Sequence, residues 1–315
     1  MVTQSLKVAF QMDPMETVNI HGDSTFVLML EAQARGYELW HYDVMDMSYR
    51  HGTVVALARR VTVERNSEKH FDFGEEHIIN LRDMDVVWMR QDPPFDMAYI
   101  TATHLLELIE DETLVLNRPE EVRNAPEKLF VTKFRDLMPA TLITRREDEV
   151  RAFRAEYGDI IVKPLYGNGG TGVFHLKQDD SNLGSLMEMF LESSREPVMV
   201  QEFLPEVVQG DKRIILVDGE AVGAINRVPA DGEIRSNLVA GGTAERSGLT
   251  EREREICERL KPELKKRGLL FVGIDVIGDW LTEINVTSPT GLQAINKFDD
   301  VSLEATIWDA IKSKL

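Results

Sequence analysis

Phe271-Val-Gly-Ile-Asp275-Val-Ile-Gly278-Asp279-Trp280-Leu-Thr-Glu283-Ile-Asn285-Val-Thr-Ser288-Pro289 places two apolar, β-branched runs on either side of Gly278-Asp279, which predicts a β-hairpin. Oxygen-bearing side chains interrupt runs that a buried strand would keep apolar. Glu283 and Asn285 are two residues apart and share a face of their strand. A two-residue loop would pair Ile277 with Trp280 and send Asp275 to the opposite face from Glu283. A three-residue loop over Gly278, Asp279 and Trp280 pairs Asp275 with Glu283, and this is the register adopted here. Two carboxylates and an amide oxygen then converge, an arrangement that is costly without a counter-charge. A hard cation resolves it. An all-oxygen set with few protein ligands suits Mg²⁺ that keeps water and substrate phosphates. The competing reading is a solvated sheet face.

Composition bounds the rest. A chain of 315 residues, 43% hydrophobic and 29% charged, is long enough for two or three globular domains. A net charge of −18 offers no basic footprint for nucleic acid or an anionic membrane, so neither is an expected partner. The single cysteine, Cys257, excludes an intrachain disulfide and suits a reducing cytoplasm. It falls in a charged helical stretch from Thr250 to Arg267 and reads as structural. No signal peptide and no apolar run of about 18 residues is evident, so a chain that neither crosses a membrane nor is secreted by that route is expected.

The first third alternates strand and helix. Leu6 to Phe10 reads as a strand, and Asp23 or Ser24 caps a helix with Phe26, Val27, Leu30 and Ala34 on one stripe, ending at Gly36. Tyr37 to Val44 is a further strand, Thr53 to Glu64 a hairpin, and Asp85 to Met89 a buried strand. The loop Arg90-Gln-Asp-Pro-Pro-Phe-Asp96 then leads into a helix from Met97 to Glu110. Ligands of open α/β sheets bind beyond the carboxyl ends of strands, which makes Asn19 and Arg90 candidate contacts. Arg90 reads equally as a surface ion-pair residue.

Organisation changes between Asn117 and Lys128, where a domain boundary is placed. A strand (Ala140 to Thr144), a helix (Glu147 to Glu156) and a β run (Asp159 to Pro164) follow. Next comes Gly167-Asn-Gly169-Gly170-Thr-Gly172, a literal G-x-G-x-x-G. A dinucleotide fold needs a helix after these glycines, but Val173 to Lys177 reads as strand. A phosphate-binding Walker loop needs Lys-Ser or Lys-Thr, which is missing. The segment is therefore a strand–loop–strand flap whose backbone N–H groups can fold over a triphosphate, with Lys163 as an anion partner just before it. A glycine-rich turn with a snorkelling lysine is the plainer alternative.

After a helix carrying Leu183, Leu186, Met187, Met189 and Phe190, Pro197 to Pro205 reads as strand into linker. Gln201, Glu202, Phe203 and Leu204 can offer backbone groups to an adenine edge. Arg213 and Arg227 abut or interrupt apolar runs and suit phosphate or carboxylate. Residues 229–244 read as a mobile loop able to close on a site, or as a plain disordered loop.

Together these pieces meet the needs of a Mg-ATP site: charge neutralisation, a backbone cradle, an adenine slot and a metal bridge. The chain resembles the ATP-grasp ligases and, within them, the bacterial glutathione synthetase family. The resemblance runs nearly end to end. It rests on Met12-Asp-Pro14, Leu30 to Leu39, Met89-Arg-Gln-Asp-Pro-Pro-Phe-Asp96, Glu127-Lys-Leu-Phe130, Gly210-Asp-Lys-Arg213, Asn237-Leu-Val-Ala-Gly-Gly242 and Leu281-Thr-Glu-Ile-Asn-Val-Thr-Ser-Pro-Thr290. It departs in the detail of the flap, Tyr166-Gly-Asn-Gly-Gly-Thr-Gly-Val173.

The resemblance implies an α/β protein with an N-terminal Rossmann-like (pre-ATP-grasp) domain followed by a two-lobed ATP-grasp fold. The expected division is 1–122, substrate binding; 123–204, the lid subdomain; and 205–315, the subdomain with the metal site. The implied reaction is ATP-dependent joining of γ-glutamylcysteine to glycine through an acyl phosphate, with no protein nucleophile. Asp275, Glu283 and Asn285 would hold Mg²⁺ or Mn²⁺. Lys128, Lys163, Gly167, Gly169 and Gly170 would meet the phosphates, and Gln201 to Leu204 the adenine. Arg213 and Arg227 would stabilise the transferring phosphoryl group. Asn19, Arg90, Arg235 and Ser288 would touch the peptide. A homotetramer is the implied assembly. Another ATP-grasp ligase, or a nucleotide-binding regulator without activity, is the alternative; the second would be expected to have lost the Asp/Glu/Asn cluster.

Overall fold

The computed structural model describes residues 5–167, 169–230, 232–236 and 241–315. The expectation of a closing loop at 229–244 falls partly on residues 231 and 237–240, outside the described residues, as does Asn168 of the flap.

The N-terminal part forms a mixed sheet from β1 (Lys7–Gln11), β2 (Glu38–Tyr42), β3 (Met47–Arg50), β4 (Thr53–Val63), β5 (Phe71–Asn80), β6 (Val86–Met89) and β7 (Leu114–Leu116). Its order is β3-β4-β2-β1-β6-β7, with β5 on β4; β2, β1, β6 and β7 run parallel. Helix α1 (Ser24–Ala34) starts where the Asp23 carboxylate accepts the Phe26 N–H, and α2 (Met97–Glu107) where Asp96 accepts that of Tyr99. The expected hairpin within Thr53 to Glu64 is instead one eleven-residue strand, β4. Its run Thr-Val-Val-Ala-Leu-Ala-Arg-Arg-Val-Thr-Val has no turn residue, and it pairs with β5.

After the short helices α3 (Pro119–Arg123) and α4 (Glu127–Phe130), four antiparallel strands form a second sheet. β8 (Thr141–Thr144), β9 (Ile160–Pro164), β10 (Phe174–Leu176) and β11 (Val198–Glu202) take the order β10-β9-β11-β8. Helices α5 (Glu147–Tyr157) and α6 (Leu183–Ser193) cover it, and Val150, Leu183, Met187 and Phe190 meet Val162 and Val200 in a core of its own. β9 and β10 flank the glycines as an antiparallel pair, the strand–loop–strand flap expected from the sequence.

The third sheet is antiparallel, β14-β13-β12-β15-β16, from β12 (Asp211–Val217), β13 (Glu220–Val228), β14 (Thr243–Arg246), β15 (Phe271–Ile277) and β16 (Trp280–Asn285). It shares two continuous apolar cores with the N-terminal sheet, joining Val87 to Ile274 and Trp88 to Phe271. The buried Asn117 amide bonds the carbonyls of Phe271 and Val286 at 2.8 and 2.7 Å and accepts the Phe271 N–H at 2.9 Å. Helix α7 (Glu251–Arg267) starts on a reciprocal Thr250/Glu253 cap and stops at Gly268, φ +64°. Cys257 lies on its buried face, and burial pushes its thiol up to about 12. Helices α8 (Leu292–Asp299) and α9 (Leu303–Lys312) close the chain against α1.

The β15–β16 turn corrects the expected loop but keeps the expected pair. The turn has two residues, so Ile277 pairs with Trp280 and Val276 with Leu281. A bulge then leaves Thr282 over, and Asp275 faces Glu283 after all. The Thr282 hydroxyl donates to the Asp275 carbonyl at 3.1 Å within the bulge.

Candidate active site

Register on the third sheet assembles the site. Arg213 pairs with Asp275, and Asp275 with Glu283, across three adjacent strands. Asp211 pairs with Arg227 two residues to one side, and Gly273 with Asn285 two residues to the other. Positions two apart share a face, so all these side chains point the same way. They floor a cavity of about 310 Å³ between the second and third sheets. Gly273 is required by close approach: a Cβ there would sit 2.9 Å from Pro289 Cβ and 3.1 Å from Arg213 Cδ.

Opposite charges alternate along this floor. The Arg213 guanidinium grips Asp275 through both oxygens, at 2.5 and 2.9 Å, and Arg227 reaches the same carboxylate at 3.0 Å. Arg227 also holds Asp211 at 2.6 Å. Burial alone would raise the Asp275 carboxyl, but the two guanidiniums outweigh it and hold it well below the usual carboxylate range. Asp211 shows the reverse balance, its carboxyl raised by burial against the pull of Arg227.

Glu283 sits between two lysines, 3.4 Å from Lys128 Nζ and 3.5 Å from Lys163 Nζ. The lysines differ. Burial lowers both, but Glu283 and Glu127 outweigh it at Lys128 and raise it to about 12, whereas at Lys163 burial, helped by the like charge of Lys128, outweighs Glu283 and keeps it below its ordinary value. Lys128 is also anchored by Glu127 and by the Gly167 carbonyl at 2.6 Å, which ties it to the base of the flap. A Cβ on Gly167 would meet Pro164 Cγ at 2.6 Å, so the flap can start here only with glycine.

The other wall is the flap and linker. Gly167, Gly169, Gly170 and the run Gln201 to Leu204 line the cavity. The Glu202 and Phe203 N–H groups are engaged by the carbonyls of Ala140 and Asp159, at 3.1 and 3.0 Å. Phe203 stacks on His175 with centroids 4.0 Å apart, which stiffens the linker.

Ser288 and Arg235 line the same cavity; Asn19 and Arg90 do not. Asn19 turns its side-chain oxygen to the His21 N–H at 3.1 Å. Arg90 lies buried behind the wall, bonded to Thr25 Oγ1 at 2.9 Å and to the Pro289 carbonyl at 3.3 Å, with Nη1 unpartnered. The sequence reading gave no role to Glu127, Asp211 or Gly273. An acid beside a lysine is too common on surfaces to be a signal, and a glycine pressed by a side chain from a neighbouring strand leaves none.

The donors fit a hard cation. Asp275, Glu283 and the Asn285 amide supply only oxygen for a metal and share one face, with Asn285 Nδ2 3.3 Å from Asp275 Oδ2. Among the described residues no three His, Cys, Asp or Glu side chains form a metal cage by themselves.

Residues 6–123 match the N-terminal domain of prokaryotic glutathione synthetase, and residues 127–300 match its ATP-grasp domain. The chain is 57% identical over 307 residues to a glutathione synthetase of Agrobacterium fabrum, covering 98% of this chain and 96% of that one. It is 45% identical over 312 residues to that of Salmonella typhimurium, covering 98% and 99%. Among solved structures, D-cycloserine synthetase DcsG aligns with a TM-score of 0.68 at 14% identity over 98% and 99% of the two chains. The ATP-grasp ligase PsnB with a minimal precursor aligns at 0.64 and 20%, over 99% of both. These two show the fold, which is ATP-grasp with the Rossmann-like N-terminal sheet before it. The chain belongs to the prokaryotic glutathione synthetase family.

Proposed function

We propose that this chain is an ADP-forming ligase that joins γ-glutamylcysteine to glycine, giving glutathione, ADP and phosphate. The observation that carries the reading is the Arg213–Asp275–Glu283 row with Lys128 and Lys163 above it, inside a family whose members are named for this product. The cysteinyl carboxylate attacks the γ-phosphate, and an acyl phosphate forms as ADP leaves. The glycine amine adds to the activated carbonyl, and the tetrahedral adduct collapses with loss of phosphate and of the amine proton.

Each residue's part follows from where it is held. Lys128 and Lys163 trade Glu283 for the nucleotide phosphates. Arg213 and Arg227 are oriented by Asp275 and Asp211 before substrate arrives, so little reorganisation remains when phosphoryl charge develops. Gly167, Gly169 and Gly170 cover the phosphates, and Gln201 to Leu204 receive the adenine. Ser288 and Arg235 face the peptide, with Arg90 acting through the Ser288-Pro289 wall, and Asn19, in the loop after β1, is assigned to the peptide by the family resemblance. Asp275, Glu283 and Asn285 would hold Mg²⁺ or Mn²⁺, which when bound neutralises phosphate charge and fixes phosphate geometry.

The domain division 1–122, 123–204 and 205–315 remains our proposal, as do a homotetramer and a cytoplasmic setting. No helix among the described residues is long and apolar enough to cross a membrane. The deciding assay measures ADP and glutathione from Mg-ATP, γ-glutamylcysteine and glycine, omitting each in turn. Both products appear together only in the full mixture; ADP without tripeptide would transfer the reading to another ligase, and no turnover to a regulator.

A further inference from the structure

His175 stands behind the wall that Gln201 to Leu204 give the cavity. Phe203 lines the cavity and His175 does not, yet their rings are stacked, centroids 4.0 Å apart and planes 15° from parallel. The imidazole is tethered in turn, its Nε2 donating to Asp159 Oδ2 at 3.1 Å. The other oxygen of Asp159 accepts the Gln178 N–H at 2.8 Å. These two donors hold the Asp159 carboxyl below its ordinary range, so it is ionised and can only accept. The carbonyl of the same residue receives the Phe203 N–H at 3.0 Å. Asp159 therefore fixes both members of the stack, the imidazole through its side chain and the phenylalanine through its backbone. Sheet order makes this possible: Asp159 precedes β9, which lies between β10, carrying His175, and β11, which leads into Phe203. Ile161, which pairs with Gln201, and Leu204 and Val207 also line the cavity, so this end offers apolar surface to a flat base.

We propose that His175, anchored by Asp159, is a positioning residue for the nucleotide base: it fixes the Phe203 ring that forms the wall on the base side. The proposal rests on the reading of this cavity as an ATP site. Phe203 lies just beyond the last residue of β11, where the strand ladder no longer sets its side chain. A ring free to turn has to be ordered by the ligand, and that cost is taken from affinity. Stacked on a tethered imidazole, the ring is ordered before nucleotide arrives. An aromatic stack is worth about three- to tenfold in affinity by this route. The gain belongs to the base alone. The phosphates are assigned to Lys128, Lys163 and the glycines, and the bonds that hold those lysines do not involve His175 or Asp159.

The test uses the full chain and measures, by titration calorimetry, binding of Mg-AMP-PNP and of Mg-tripolyphosphate, which carries the phosphates without base or ribose. It compares wild type, His175→Ala, His175→Phe, Asp159→Ala and the His175→Ala/Asp159→Ala double variant. His175→Ala weakens Mg-AMP-PNP about three- to tenfold and tripolyphosphate by less than about twofold, a split that general destabilisation would not produce. In turnover the KM for ATP rises by the same factor, while kcat and the KM for γ-glutamylcysteine stay within about twofold. His175→Phe keeps the affinity because the ring is kept. Asp159→Ala weakens Mg-AMP-PNP in the same direction, and the double variant is no weaker than His175→Ala, since Asp159 acts through the imidazole. Unchanged Mg-AMP-PNP affinity in His175→Ala, equal weakening of both ligands, or a loss in His175→Phe as large as in His175→Ala would each overturn the proposal. An additive loss in the double variant would overturn the part given to Asp159. If instead wild type binds no Mg-AMP-PNP, the reading of the cavity as an ATP site has itself failed, and that result is read before any variant is compared.

Discussion

Glu283→Gln removes the charge that two buried ammonium groups share. Glu283 lies 3.4 Å from Lys128 and 3.5 Å from Lys163. At an effective dielectric of ~20 each contact amounts to about 5 kcal/mol before the cost of drying the ions is subtracted. The carboxylate side chain keeps 22% of its surface in solvent, which screens it. Removing one partner of a buried ion pair costs about 3–5 kcal/mol; with this exposure we expect about 2–3 kcal/mol. Lys163 limits the loss, because burial already lowers its proton affinity and removing the carboxylate lowers it further. The variant should therefore fold, with a Tm lower by several degrees. ADP formation should fall by about a hundredfold or more, since the same oxygen is proposed to reach the metal. Calorimetric melting and coupled ADP release on the same preparation read both effects. A variant that melts with wild type and keeps more than about a tenth of its turnover would refute the assignment of Glu283.

Three other expectations follow from the same geometry. Arg90→Ala should raise the KM for γ-glutamylcysteine about tenfold or more and that for ATP by less than about twofold; equal effects would show that Arg90 does not serve the peptide side. Gly273→Ala forces a Cβ to 2.9 Å from Pro289 and 3.1 Å from Arg213, so kcat should fall more than Tm, and an unchanged kcat would mean that Arg213 need not lie where it does. The Cys257 thiol, pushed up to about 12 by burial, stays protonated through pH 9, where an ordinary thiol ionises. Labelling by a thiol reagent in the native protein should stay slow from pH 7 to 9 and become fast in urea, whereas a steep native rise over that range would place the thiol at the surface.

Local chemistry made much of this protein legible. Period-two apolar runs marked most of the sheet strands, glycines after Lys163 marked the flap, and an oxygen pair on the Glu283 strand marked the site, because each depends on neighbours within a few residues. Where a partner strand decided the outcome, the chain alone was ambiguous. Thr53 to Val63 forms one strand because β5 is there to pair with it. Asp275 reaches Glu283 through a bulge at Thr282 rather than a longer turn, since the favoured two-residue turn and the pairing further along need one extra residue between them. The charge alternation is likewise tertiary. Which carboxylate holds Arg227 or Lys128 depends on strand register and on a second sheet brought over the first, and burial then determines which groups keep their charge. Sequence spacing carries no record of that burial, so the opposite shifts of Lys128 and Lys163 are visible only in the folded chain.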